Sequence, residues 1–164
     1  DGSAAMLVEA TPRPGINLSL EKFHSDLAFE GENDMAWRIG DSGFEMQLSS
    51  YVPAVVNAGM RQLADKLLEG SSYSLRDINY FAPHPGGLKI LSAIESALEI
   101  PKHQHKQAYE VLNQYGNMSS PTVVFVLYEL MKSLTATDDK KTIMSFAFGP
   151  GLTLESMLLK ICSR

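Results

Sequence analysis

Hydrophobic positions along this chain switch repeatedly between a spacing of two and a spacing of three to four, and each switch marks a change of element. Residues 4–9 (AAMLVE) form a short apolar run closed by Thr11-Pro12-Arg13-Pro14-Gly15, which reads as a buried strand ending in a breaker cluster. Mixed patterns predict strands over 22–29 and 35–39, separated by the turn-like Glu30-Gly31-Glu32-Asn33-Asp34. In 43–49 (GFEMQLS), Phe44, Met46 and Leu48 alternate with polar residues, the mark of a half-buried strand. Helical spacing then runs over 51–68 through Val52, Val55, Val56, Met60, Leu63 and Leu67, with Pro53 tolerated in the first turn.

A strand is predicted at 77–82, ended by Pro83-His84-Pro85-Gly86-Gly87, and helices at 88–98, 104–114 and 120–134. Strands at 142–148 and 153–161 close the chain around a tight Gly149-Pro150-Gly151. This alternation predicts a layered α/β fold in a single domain spanning 1–164. The helix from Ser120 is apolar nearly all round in its first half (Val123 to Leu127), so burial on every side is expected, either inside one core or between this sheet and another domain.

Composition narrows the function classes. Lys and Arg total 14 against 19 Asp and Glu, with no basic block, which argues against a nucleic-acid partner. No apolar run reaches the roughly 18 residues of a membrane helix, and the first residues have no signal-peptide pattern, so a cytoplasmic location without membrane contact is expected. The single Cys162 rules out an internal disulfide. A start without Met, directly in apolar sequence, reads as a piece of something longer.

Three segments offer chemistry. His84 at a strand end, followed by Gly86 and Gly87, suits close approach of a ligand arm, or is a Pro/Gly turn with an incidental histidine. Asn117 in Tyr115-Gly116-Asn117-Met118-Ser119-Ser120-Pro121 can cap the following helix, or aim an amide at a developing oxyanion. Phe148-Gly149-Pro150-Gly151 serves as a hairpin turn. His103 and His105 have no acidic or Cys partner at ligand spacing, so no metal site is expected; His24 and Cys162 read as structural. No P-loop, dinucleotide fingerprint or G-x-S-x-G frame is present.

Taken together, His84-Pro85-Gly86-Gly87, Gly116-Asn117-Met118-Ser119-Ser120 and 148–155 (FGPGLTLE) resemble, in order and spacing, the three C-terminal signatures of type III polyketide synthases, the chalcone/stilbene synthase family. The opening Asp1-Gly2-Ser3-Ala4-Ala5 also resembles the strand that begins the second half of these enzymes, so the resemblance spans the chain. It implies the C-terminal half of a thiolase-like fold, layered αβαβα when paired with an N-terminal half that carries the nucleophilic cysteine. It further implies an acyltransferase that condenses an acyl-CoA starter with malonyl-CoA, needs no cofactor beyond these coenzyme A thioesters, and forms a homodimer at full length.

By the same resemblance His84 and Asn117 are the catalytic residues, donating to the malonyl thioester oxygen as it becomes an enolate, with His84 also able to pair with the partner thiolate. Met46, Gly86, Ser119, Phe148, Gly149, Pro150 and Gly151 fall at substrate-binding positions. Nothing here replaces the missing cysteine, so this piece alone is expected to be inactive. Met46 stands where plant chalcone synthases have a cavity-gating phenylalanine, and Pro83 replaces a small residue. An unbranched methionine suits an aliphatic starter at least as well as an aromatic one. Lys89 reads first as a solvated helix lysine, with a contact to the coenzyme A arm as the alternative. Ketoacyl-ACP synthase III, whose histidine opens His-Gln-Ala-Asn, and a non-catalytic thiolase-like module binding acyl-CoA or a protein are the competing readings.

Overall fold

A computed structural model describes residues 2–164. In chain order the elements are β1 (Ile16–Leu27), β2 (Met35–Gly40), β3 (Gly43–Leu48), α1 (Val52–Leu68), β4 (Tyr80–Pro83), α2 (Leu88–Leu98), α3 (Lys106–Tyr115), α4 (Pro121–Ser133), β5 (Thr142–Gly149) and β6 (Thr153–Ser163). Four strands form one sheet in the order β1-β6-β5-β4, in which β1 and β5 flank β6 antiparallel and β4 runs parallel to β5.

Side chains alternate across this sheet and build two apolar layers. Phe81, Met144, Phe146, Leu154 and Leu158 pack with Val56, Met60, Leu63 and Leu67 of α1. Ala82, Ile143, Leu159 and Ile161 pack on the other face with Ala108 and Val111 of α3 and Val126, Leu127 and Leu130 of α4. Helix α2 gives Leu91 to the second layer and Ile94 and Leu98 to the first, so it bridges the two beside β4. The helix–sheet–helix layering agrees with the alternation of periods in the sequence. Polar staples close the margins: Lys66 of α1 bonds Asp26 of β1 at 2.7 Å, and Tyr80 and Lys141 both donate to Asp138, whose carboxyl they hold far below the usual carboxylate range.

Several expectations are corrected. Residues 4–9 form no strand and are exposed, because no strand among the described residues lies beside them to complete the backbone hydrogen bonds. The expected strand over 22–29 begins earlier, at Ile16, where β6 supplies a partner. The one expected over 77–82 starts only at Tyr80, since Ser74 and Asp77 cap each other across a 3-10 turn at Leu75–Asp77. Residues 43–49 do form a strand, but an exposed one: β3 pairs only with β2, as a separate two-stranded ribbon. In α4 Val126 and Leu127 are buried on the sheet while Val123, Val124 and Phe125 are half-buried, so enclosure inside this core alone is corrected, and burial between this sheet and another domain stays an expectation.

No helix among the described residues is long and apolar enough to cross a membrane.

Candidate active site

The short strand β4 delivers His84. Its last residue, Pro83, pairs with Phe146 of β5, and the His84 backbone N–H donates to the Phe146 carbonyl at 2.7 Å, carrying the parallel ladder one residue further. The imidazole is thus fixed at the C-terminal edge of the sheet, where open α/β sheets present ligand sites. The chain then folds back, with Gly86 N–H donating to the His84 carbonyl at 3.0 Å, and α2 begins after Gly87. The half-buried His84 ring lies against Gly86: a methyl placed there would stand 3.7 Å from His84 Cδ2 and 3.9 Å from Nε2.

Asn117 comes from another layer. Gly116 closes α3 with φ +70°, a left-handed conformation that glycine adopts without cost, and its N–H donates to Leu112 O. This turn sends Asn117 toward the His84 loop. There the Asn117 Nδ2 donates to the Gly86 carbonyl at 3.2 Å, while its Oδ1 accepts from Ser119 N–H at 2.9 Å. Ser119 itself has φ +65°, a costly conformation for a residue with a Cβ, held by Thr122, whose hydroxyl donates to Ser119 O and accepts from Met118 N–H. Asn117 is not the helix cap, a position taken by Ser120. The amide is oriented instead, and the second hydrogen on Nδ2 has no partner among the described residues.

Burial pushes the His84 imidazole below its ordinary value of 6.5, so it is neutral near pH 7 and carries one N–H donor. His105, fully buried, is shifted the same way by desolvation, and its bond to Glu95 opposes that shift without overcoming it. In the unfolded chain both protonate near 6.5; in the folded chain they resist until lower pH. Stability is therefore complete above about pH 6.5 and falls as pH drops below it. Urea denaturation at about pH 7.5 and about pH 5.5 should give a lower midpoint in acid. Equal midpoints would show that folding does not hinder protonation of these imidazoles.

The Gly149-Pro150-Gly151 turn joins β5 to β6 at the same sheet edge as His84, since β4 and β5 are parallel. Gly151 has φ +129°, and a Cβ there would sit 3.1 Å from Thr153 Oγ1. Its N–H donates to Met35 O at 3.2 Å and anchors the β2–β3 ribbon to the turn. Phe148 is half-buried against the α1 layer. Met46 projects from the ribbon opposite Trp37.

His84, Gly86, Asn117 and Ser119 are thus linked by hydrogen bonds, the turn residues share their edge, and Met46 joins only through the ribbon's anchor. Two clefts, of about 270 Å³ beside Arg61, Arg76 and Phe81 and about 420 Å³ beside Leu27 and Phe29, include neither His84 nor Asn117.

Sequence reasoning missed the ribbon's one-sidedness. Cross-strand pairs place Met35 opposite Leu48, Trp37 opposite Met46 and Ile39 opposite Phe44, so these six apolar residues fall on one face; Ala36, Arg38, Gly40, Gly43, Glu45 and Gln47 share the other. Ile39 is 89% and Phe44 76% exposed. Continuing the alternation of 35–39 through the turn into 44–48 would have shown it. His105 also has the acidic partner that spacing denied it, Glu95 at 2.9 Å. Among the described residues no cluster of His, Cys, Asp or Glu could hold a metal.

Residues 20–163 match the family described as chalcone and stilbene synthases, C-terminal domain. The chain is 30% identical to "Alpha-pyrone synthesis polyketide synthase-like Pks18" of Mycobacterium tuberculosis, covering 100% of this chain and 43% of that protein. It is 33% identical to "Probable polyketide synthase 1" of Dictyostelium discoideum, over 98% of this chain and 5% of that protein. The crystal structure of PKS-I from the brown alga Ectocarpus siliculosus superposes with a TM-score of 0.82 at 29% identity, covering 92% of this chain and 41% of that one. That of 1,3,6,8-tetrahydroxynaphthalene synthase from Streptomyces coelicolor A3(2), a bacterial type III polyketide synthase, gives 0.80 at 25%, covering 93% and 43%. The chain spans well under half the length of these relatives.

Proposed function

Since this chain belongs to the chalcone and stilbene synthase family, as a C-terminal domain of thiolase-like fold, we propose that it supplies His84 and Asn117 to decarboxylative condensation of an acyl-CoA starter with malonyl-CoA. The observation that carries this is the bond from Asn117 Nδ2 to the Gly86 carbonyl, which brings an oriented amide from one layer to the rim where a neutral imidazole ends β4.

Two such donors suit one chemical event. When malonyl-CoA loses CO2, the electron pair of the breaking C–C bond moves onto the thioester, whose oxygen becomes an enolate. N–H groups already aimed at that oxygen stabilise the charge without reorganising. The enolate carbon then attacks the acyl group on a cysteine of the N-terminal half, forming a C–C bond and releasing the thiolate. The burial that keeps His84 neutral favours its role as N–H donor over that of an imidazolium paired with the thiolate.

The glycines at 86 and 87 leave room for the thioester arm, and the Ser119 N–H holds the Asn117 carbonyl oxygen, which leaves the second Nδ2 hydrogen for the thioester oxygen. Phe148, Gly149, Pro150 and Gly151 would shape the wall of the acyl cavity, with Met46 and Trp37 on the apolar ribbon face extending it. Flexible Met46 favours an aliphatic starter.

The test is product identification from the full-length protein with malonyl-CoA and a panel of aliphatic and aromatic acyl-CoA starters. Chain-extended products from aliphatic starters are expected; none from any starter would leave the non-catalytic binding module as the better account. Because the cysteine that carries the acyl group lies in the other half, residues 1–164 alone should form no chain-extended product from malonyl-CoA and an acyl-CoA starter, and measurable product would contradict the division of labour.

A further inference from the structure

The proposed chemistry uses neither Glu95, His105 nor Tyr109, yet they form the densest polar contact between two helices. His105 is fully buried, with Nε2 2.9 Å from Glu95 Oε1, and the Tyr109 hydroxyl donates to the same oxygen at 2.8 Å. Burial lowers the His105 pKa, and its neutral ring, with Nε2 as the protonated nitrogen, donates to the Glu95 carboxylate. Lys102 covers the outer face of the Tyr109 ring, Nζ 4.8 Å from its centroid. A carboxylate accepting two donors inside an otherwise apolar contact fixes one arrangement of the helices that carry it.

These helices are the ones that hold the site. α2 starts immediately after Gly86 and Gly87, and α3 ends at Gly116 and Asn117. They form a hairpin whose open end is the Asn117–Gly86 bond and whose closed end is the connection through Lys102–Gln104. Glu95 lies eight residues past Gly87 and Tyr109 eight before Asn117, so the polar contact stands about 12 Å from the site along each helix at a rise of about 1.5 Å per residue. Between them Leu91 of α2 and Val111 of α3 share one apolar layer.

We infer that Glu95, His105 and Tyr109 are positioning residues, a clasp at the closed end of the α2–α3 hairpin that sets the reach of Asn117 to the Gly86 carbonyl. The functional meaning of this clasp rests on the proposed roles of His84 and Asn117, but its geometry can be read without catalysis.

NMR of the chain can follow the cross-peak between the Asn117 side-chain amide protons and Gly86. Glu95→Ala should lose it while keeping the backbone spectrum of a folded protein, and Glu95→Gln, whose amide oxygen can accept both bonds, should retain it. Tyr109→Phe should weaken it. Asp138→Ala, which breaks the Tyr80–Asp138–Lys141 staple outside the hairpin, should leave it unchanged. Survival in Glu95→Ala, loss in Glu95→Gln, or equal loss in Asp138→Ala would overturn the clasp. Should Glu95→Ala not fold, an unweakened cross-peak in Tyr109→Phe would do the same. Any of these results leaves the catalytic reading standing, whereas a full-length protein that condenses without His84 or Asn117 would remove that reading and leave the clasp.

Discussion

His84→Ala in the full-length protein should lower the rate of chain extension by about 10²–10⁴-fold, the range that removal of one positioned donor or acid–base group produces. The backbone N–H that continues the β4–β5 ladder belongs to residue 84 whatever its side chain, so the strand end should survive the substitution. The loss should therefore fall on turnover rather than on folding. Decarboxylation of malonyl-CoA and condensation should decline together, because one enolate oxygen is stabilised in both. A steady-state assay of CO2 release and product formation, beside a circular dichroism spectrum, would show it. A loss under about tenfold with the fold intact would remove His84 from the chemistry.

The second large effect concerns stability. Phe146 is 1% exposed and packs in the layer between the sheet and α1, while its carbonyl holds the His84 N–H. Phe146→Ala leaves a cavity of ring size and should cost about 3–5 kcal/mol. Against a typical domain stability of about 5–15 kcal/mol, that loss would leave the chain near its unfolding midpoint or well toward it. Phe44 carries the same side chain on the open face of the ribbon, and Phe44→Ala should change stability by no more than about 0.5 kcal/mol. Urea denaturation of the two variants checks the contrast. Equal losses would mean that the ribbon face is covered and that the layer around Phe146 is looser than its burial shows.

Where local pattern and burial coincide, the sequence was readable. Val52–Leu68 and Leu88–Leu98 form helices within a residue of their apolar spacing, because each lays one stripe on the core. Strands β5 and β6 appear where β-rich runs flank a Gly-Pro-Gly turn. Residues 4–9 failed for a physical reason: apolarity favours a strand only if another backbone stands beside it. The alternation around Met46 correctly signalled a strand but not its exposure, since a period of two says that one face is apolar without saying what covers it.

At the candidate site, the motifs singled out His84 and Asn117, but residue types could not show that the asparagine amide reaches the Gly86 carbonyl rather than capping α4. Glu95 and His105 were invisible as a pair because ten residues and a helix reversal separate them, a spacing that no metal or i,i+4 rule examines.

The pairing of β1 with β6 ties the two ends of the sheet's sequence together: Ile16 stands opposite Ser163, and Ser25 bonds Glu155 across 130 residues. During synthesis β1 leaves the ribosome long before β6, its strand partner among the described residues, exists, a wait on the order of ten seconds at roughly 5–20 residues per second. Until then it is an edge without a mate, and the helices α1 to α4 are made before the strand that locks the layers. The four-stranded sheet is consequently complete only once β6 is made, because β6 is the strand that joins β1 to β5.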